Sequence, residues 1–391
     1  MGGIIYVSAQ ITEKDIAYDS LAKQEYRSLG RAGFDSTATN GFYIQDSRKG
    51  HYRLNFGVWT TPRYTTVYKN NTPDSVPNVE KGFTINRTRI FFTGKYSDKF
   101  NFTLVTNIGA DGDFNLQQVY LAYAINQDYI VTVGNQFVAS SREDWMDPSN
   151  ILAMQCSAND AAFALGTSFG ILVYRRPKNR ARWWASLSNG LYGWNRAVTQ
   201  SDQSDYMLGG RYEYALKGDD WAVWDDLVGR RGRSEGVLLG GSFNFLRHTV
   251  GLLKNHGVQG NLDVSFNGDG YQALIAGVWT GQFPEGAKGF SQYGFYAQGG
   301  YFVNQVIQLY ARYDLVLPGG TPGDFEAYSA PGFGVNLYPF HFTNRWKISL
   351  EFNHLFGTFD NTIVPPDLAL GFADSAYRGQ QSIRFQLQFG F

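Results

Sequence analysis

The chain has 391 residues, of which 45 are glycine and 16% are aromatic. Lys plus Arg and Asp plus Glu both number 34, so the net charge predicts neither a nucleic-acid nor an acidic-polymer partner. A single cysteine, Cys156, excludes an internal disulfide. No run of about 18 apolar residues occurs, which excludes a membrane-spanning helix but not a barrel, whose strands turn only every second residue to lipid.

The first 40 residues are predicted to form an extension ahead of the main domain. Residues 1–9 resemble the end of a signal peptide, although the basic region that opens such a peptide is missing. Residues 12–30 are a helix candidate, with an approximate capping box at the start and Gly30 at the end. We therefore expect a short helical or irregular N-terminal extension over residues 1–40, which is either a frayed terminus or a partner-binding helix.

Strand signals recur from residue 51 to the C-terminus, separated by Gly, Asn, Asp and Pro. The last ten residues alternate apolar and polar and end on Phe391, which is typical of the closing strand of an outer-membrane barrel, though also of an edge strand in a soluble sandwich. The predicted strands cover residues 52–62, 83–95, 100–108, 114–124, 129–137, 164–175, 182–190, 205–215, 236–245, 261–266, 271–282, 291–302, 307–315, 330–338, 346–355 and 382–391. Sixteen strands with mostly alternating short and long connections predict an all-β fold, a 16-stranded antiparallel transmembrane β-barrel over residues 41–391. Residues 217–235 break the alternation, because they form a long connection on the short-turn side.

Side-chain parity along the strands assigns a set of basic residues to the lumen. Arg or Lys on the lipid face near the midplane costs roughly 2–4 kcal/mol, which favours the inward assignment. The pore-lining basic residues predicted in this way are Arg53, Arg87, Arg89, Arg182, Arg211, Arg312, Lys347 and Arg384. Basic walls select anions. The alternatives are a neutral pore, in which acids such as Glu213, Asp314 and Glu351 pair with these residues, and a specific phosphate site.

Residues 138–163 are the best candidate for a constriction loop that folds into the barrel. The charged residues predicted to act there are Arg142, Glu143, Asp144, Asp147 and Asp160. An excess of acid opposite an arginine-bearing wall would produce a transverse field across the constriction. The alternative is a surface loop with ordinary charges.

Tryptophans and catalytic motifs add little to this prediction. Trp183, Trp184, Trp194 and Trp279 fit the aromatic girdles of a barrel better than a sugar-binding track in the lumen. Neither a nucleophile elbow, nor a metal-spaced His pair, nor a phosphate-cradling glycine loop occurs in the sequence. We therefore expect no catalysis, cofactor or metal, and an outer-membrane hydrolase is the remaining enzyme alternative.

Five segments resemble the phosphate-selective porins O and P, in a resemblance that spans roughly residues 41–391. They are residues 84–95, 131–137, 293–302, 311–314 and 332–338. Arg87, Arg89 and Arg312 match the family's pattern. The resemblance implies a homotrimer of 16-stranded barrels, each with its own pore and an inward-folded third loop.

The predicted function is passive diffusion of small hydrophilic solutes through a water-filled pore in the bacterial outer membrane. The pore is expected to lean towards anions, with a phosphate preference as the narrower hypothesis. The expected partners are small hydrophilic or anionic solutes, outer-membrane lipid and further copies of the chain, but not nucleic acid. The alternative is a structural envelope protein whose pore is incidental or plugged by residues 1–40.

Overall fold

The computed structural model describes residues 31–35, 41–45, 52–70, 78–110, 112–138, 140–190, 204–250, 253–319, 327–340, 343–358, 364, 370–372 and 377–391. The strands are β1 (Arg31–Asp35), β2 (Gly41–Gln45), β3 (Arg53–Tyr68), β4 (Val79–Lys95), β5 (Phe100–Gly109), β6 (Phe114–Ala124), β7 (Tyr129–Phe137), β8 (Thr167–Lys178), β9 (Ala181–Ser188), β10 (Ser204–Lys217), β11 (Gly236–Val250), β12 (Leu253–Gly268), β13 (Tyr271–Pro284), β14 (Phe290–Phe302), β15 (Ile307–Leu317), β16 (Tyr328–Leu337), β17 (Lys347–His354) and β18 (Gln381–Gly390). Helix within these ranges is limited to α1 (Ala158–Phe163) and 3-10 turns at Pro148–Asn150 and Trp221–Trp224. Among the described residues, no helix is long and apolar enough to cross a membrane.

The sheet closes on itself between its first and last long strands. Strands β3 to β18 pair antiparallel with their neighbours in chain order, and β18 pairs with β3 from Gln381↔Tyr68 to Gly390↔Trp59. At the end of this seam, the Phe391 N–H donates to the Val58 carbonyl at 2.9 Å. Closure satisfies the backbone N–H and C=O groups of the wall, as hydrocarbon demands. The predicted 16-stranded barrel is confirmed, and every predicted strand overlaps one of β3 to β18.

The wall is apolar outside and polar inside, as the closing strand shows. The side chains of Ile383, Phe385, Leu387 and Phe389 are 37–44% exposed, whereas the polar residues between them are at most 3% exposed. Successive side chains of a strand point to opposite faces, so one residue type faces lipid and the other faces the lumen. The interior of this molecule is therefore a polar space bounded by the inward faces of the strands.

A hairpin that the sequence did not predict precedes the barrel. Strand β1 pairs with β2, and β2 pairs with the first residues of β3, from Phe42↔Phe56 to Gln45↔Arg53. Gly41, with φ of 59°, lies where a Cβ would meet the backbone carbon of Phe391 at 2.7 Å. Strand β2 thus continues the line of β18 along β3. The predicted extension contains a strand at Arg31–Asp35, while its predicted helix, residues 12–30, lies outside the described residues.

Three strands run well beyond their predicted ends. The first predicted strand stopped at Pro62, but β3 runs on to Tyr68 because a bulge between Thr60 and Pro62 accommodates the proline. Similarly, β11 and β12 extend into the predicted connection 246–260 and pair as far as Val250↔Leu253. The first difference brings a further arginine, Arg63, into the barrel wall.

A charge on the outer face of β18 tests the orientation of the wall. We expect Phe385→Arg to lower the free energy of unfolding in lipid vesicles by about 2–4 kcal/mol, since it moves a cation into the hydrocarbon. Phe340→Arg is the matched control, because Phe340 is equally exposed, at 42%, but lies outside the strands, in the connection between β16 and β17. This connection is at the end of the barrel that carries the short turns, called the turn end. The control substitution is expected to cost about 0–1 kcal/mol. If a denaturant titration shows the same loss of unfolding free energy in both variants, the orientation of the wall is contradicted.

Candidate functional site

The connection from β7 to β8, residues 138–166, folds into the lumen and is called the constriction loop. Inward-facing side chains hold its backbone. Lys347 Nζ donates to the Ile151 carbonyl at 3.1 Å, and Asn336 Nδ2 donates to the Leu152 carbonyl at 2.9 Å. Loop carbonyls taken out of water need such partners, so part of the polar wall exists to position this loop.

The loop reaches both sides of the barrel. On one side, Gln259 Nε2 of β12 donates to the Phe163 carbonyl at 2.7 Å. On the other side, Gln388 Nε2 of β18 donates to the Ser149 carbonyl at 3.2 Å. The loop therefore crosses the lumen rather than following one wall.

One ion cluster ties the loop to β9, β10 and β12. Glu213 accepts from Arg142 of the loop at 3.1 Å, from Arg182 at 2.5 Å and from Arg211 at 2.8 Å. Arg211 also pairs with Asp263 at 2.7 Å. All five side chains are buried. Carboxylates thus offset the charge of the predicted pore residues Arg182 and Arg211, which here anchor the loop.

A second group of ion pairs lies on β15, β17 and β18. Arg312 Nε lies 2.9 Å from Asp314, and Arg384 pairs with Glu351. The Tyr310 hydroxyl also donates to Glu351, at 2.6 Å. These two predicted pore arginines are likewise partnered by acids.

The arginines of strand β4 differ from those of the two groups of ion pairs. Arg87 and Arg89 point inward from β4 and form no ion pair with any residue in the described ranges. Arg89 is 3% exposed, its Nε and Nη1 atoms have no hydrogen-bond partner there, and its guanidinium lies 5.9 Å from the Trp59 ring. Arg63 lies beside them on β3 but has partners: it donates to Gln386 Oε1 at 2.9 Å and to the Met154 carbonyl of the constriction loop at 3.3 Å. Arg63, Arg87 and Arg89 are called the basic wall.

Arg53 does not join this group. It lies at the turn end of β3, where its Nε donates to Asn55 at 2.7 Å and its guanidinium covers the Tyr43 ring at 4.4 Å. Ten residues of strand separate it from Arg63, a distance of about 33 Å. Arg53 therefore lies at the opening of the barrel at the turn end, and not at the constriction.

The carboxyl groups of the constriction loop are buried, which changes their titration. Burial raises the pKa of Asp144 to about 6, although the Ser140 hydroxyl donates to it. Burial also raises the pKa of Asp160 well above its usual value, and the nearby charge of Asp144 adds to this effect. The pKa of Glu143 is raised by burial as well. The negative charge of the loop is consequently sensitive to pH near neutrality.

The fourth predicted loop acid has a different position. Asp147 accepts from the Ser149 N–H at 2.8 Å and interacts electrostatically with Arg345 and Arg89. Its interaction with Arg89 relates it to the basic wall, and the transverse field across the constriction stays a prediction.

Trp184 lies in the lumen, which corrects its prediction as a girdle residue. It is 1% exposed and stacks on Trp145 of the constriction loop, with ring centroids 4.8 Å apart. Two inward arginines were not predicted from the sequence. Arg63 follows the misread Pro62, and Arg345, in the β16–β17 connection, covers the Phe91 ring at 4.5 Å. Continuing the strand parity past Pro62 would have found the first.

A family model described as phosphate-selective porin O and P matches residues 65–220. The chain is an outer-membrane porin. The match confirms the resemblance seen in the sequence, and it points to a channel rather than to an enzyme. A comparison with curated protein sequences gives no match.

Solved structures agree with the porin fold at low sequence identity. An anion-selective porin from Comamonas acidovorans superposes with a TM-score of 0.62 at 11% identity, covering 87% of this chain and 100% of that chain. OmpT of Vibrio cholerae in a trimer form gives 0.55 at 11%, covering 86% and 99%. OmpF of Salmonella typhi in complex with daunomycin gives 0.52 at 10%, covering 87% and 98%.

Removal of the shared carboxylate tests the anchoring cluster. We expect Glu213→Ala to lower the free energy of unfolding of the porin by about 3–5 kcal/mol, because it leaves several buried guanidinium groups without their counter-charge. Glu235→Ala is the control, since Glu235 forms an ion pair with Lys217 but is 59% exposed. The control should change stability little. A denaturant titration in which both variants behave alike would refute the anchoring role.

Proposed function

We propose that this porin conducts small hydrophilic solutes with a preference for anions, phosphate among them, and that it works as a homotrimer. The observation that carries the preference is the state of the lumen arginines. Arg182, Arg211, Arg312 and Arg384 each form an ion pair with a carboxylate, whereas Arg87 and Arg89 form none among the described residues, where Arg89 interacts with Asp147 only at longer range. The positive charge left for a solute is therefore concentrated on β4.

Electrostatics favours anions at such a wall. Two unit charges 4 Å apart interact by about 4 kcal/mol at an effective dielectric constant of about 20. The planar guanidinium also offers paired N–H donors, which suit the oxygens of a phosphate. The description of the matching family as phosphate-selective, and that of a similar barrel as anion-selective, support the same preference. The trimer form of a similar barrel supports the assembly.

The structural envelope alternative rests on how much of the lumen is filled. The constriction loop crosses the barrel, and buried side chains of residues 218–235 lie below it. An incidental pore would pass no measurable current, whereas a diffusion channel with a narrowed lumen would still conduct. Residues 1–30, most of the plug considered in the sequence analysis, lie outside the described residues.

Removing the two unpaired charges tests the anion preference. We expect Arg87→Ala combined with Arg89→Ala to lower the anion-to-cation permeability ratio several-fold, as reversal potentials in a potassium chloride gradient would show. The double variant should also weaken the block of chloride current by inorganic phosphate. Lys288→Ala, which removes one positive charge from an exposed loop, is the control and should leave both readouts near wild type. An unchanged ratio in the double variant would defeat the proposal.

The buried Asp144 predicts a pH dependence of selectivity. Because its pKa is raised to about 6, the docked loop takes up a proton as pH falls through this value. Proton uptake removes negative charge from the lumen, so anion preference should rise between pH 7.5 and pH 5. The same uptake stabilises the docked loop as pH falls, since an exposed Asp titrates lower, near pH 4. Asp144→Asn should reduce the pH dependence; a full response in that variant would assign it to other groups.

A further inference from the structure

A second segment enters the lumen from the end opposite to the constriction loop. Residues 218–235, called the inner turn, connect β10 to β11, whereas two residues suffice to join β12 to β13. Within the inner turn, Trp224, Leu227 and Val228 are each at most 1% exposed. Adjacent antiparallel strands need only a short turn. The length of the inner turn is therefore not needed to join its strands, and its apolar residues pack inside the barrel.

The inner turn lies against inward-facing residues across the turn end of the lumen. Asn267 Nδ2 of β12 donates to the Val223 carbonyl at 2.7 Å, and Gln308 of β15 also donates to the backbone of the turn. Past β16, Arg230 Nε donates to Asn344 Oδ1 at 2.7 Å. The segment thus extends from its own strands, β10 and β11, to the β16–β17 connection.

The constriction loop rests on the inner turn. The Leu227 N–H donates to the Asn150 carbonyl at 2.8 Å, and the Leu227 side chain packs with Met146 and Ile151 of the loop. Asn344 Nδ2 donates to Asn150 Oδ1 at 3.2 Å from the far side. The loop and the inner turn therefore form one packed layer against the wall from β10 to β16.

We propose that the inner turn is a second constricting segment of the pore. It supports the constriction loop from the turn end and, together with that loop, fills the side of the lumen along β10 to β16. Leu227 is the positioning residue of this contact. The inference rests on the proposed function in assuming that solutes cross the lumen.

A shortened turn tests this role most directly. Ala215 and Leu238 are partners in the β10–β11 ladder, and continuing this register puts Gly218 opposite Glu235, so Asn-Gly in place of residues 219–234 gives a two-residue hairpin turn. In planar bilayers we expect the single-channel conductance to rise about twofold or more and the anion preference to fall, because the lumen widens away from the basic wall. Wild-type conductance in this variant would overturn the proposal.

A point variant covers the case in which the shortened chain does not fold. Leu227→Asp places a charge against Met146 and Ile151, whereas Ser234→Asp adds the same charge at an exposed position of the same turn. Cys156, the chain's single cysteine, lies in the constriction loop and reports its release. Alkylation of Cys156 by N-ethylmaleimide should be about tenfold faster in Leu227→Asp only, as expected of local opening.

The two proposals fail separately in these experiments. Equal alkylation rates in the two aspartate variants, with wild-type conductance in both, would reject the inner turn as a positioning segment. Wild-type channels without anion preference would instead reject the proposed selectivity. In that case, a rise in conductance on shortening the turn would still support the inner turn as a constricting segment.

Discussion

Hydrocarbon offers no hydrogen-bond partner to the backbone, and this constraint determines the rest of the structure. A sheet in the membrane must close, and here it closes where β18 pairs with β3 and Phe391 bonds to Val58. Closure with a side-chain period of two makes the lipid face apolar and the inner face free to be polar. Within the membrane, charged side chains can therefore be accommodated only on the inner face of the barrel.

The inner face then has two tasks, which fall to different residues. Several lumen arginines form ion pairs that stabilise the fold. Glu213 pairs with three guanidinium groups, one of them from the constriction loop. Burying such charges is expensive unless each is paired, so the pairing is a condition of folding. Arg87 and Arg89 stand outside this pairing among the described residues, and in the proposed function it is their charge that attracts the solute. An arginine that faces the lumen is thus not by itself a selectivity residue.

The strands could be predicted from the sequence because alternation is a local property, visible within each segment. Parity likewise predicted Arg312 and Arg384 on the inner face, and both side chains are buried in the structure. Arg63 was missed because Pro62 resembles a strand end, whereas a bulge carries the strand past it. The pairing of acids with arginines could not be predicted from the sequence. Arg142 and Glu213, for example, are 71 residues apart and come into contact only because the loop folds inward. The inner turn and the β1–β2 hairpin also depend on contacts between distant segments.

The central claim is that a water-filled passage remains through the closed barrel beside the constriction loop and the inner turn. Current recordings of the purified, folded wild-type protein in a planar lipid bilayer test it most directly. Stepwise increases in current as single channels insert, each of similar size, are the predicted result. Folded protein that inserts into the bilayer without producing any steps would show a sealed interior and contradict the account.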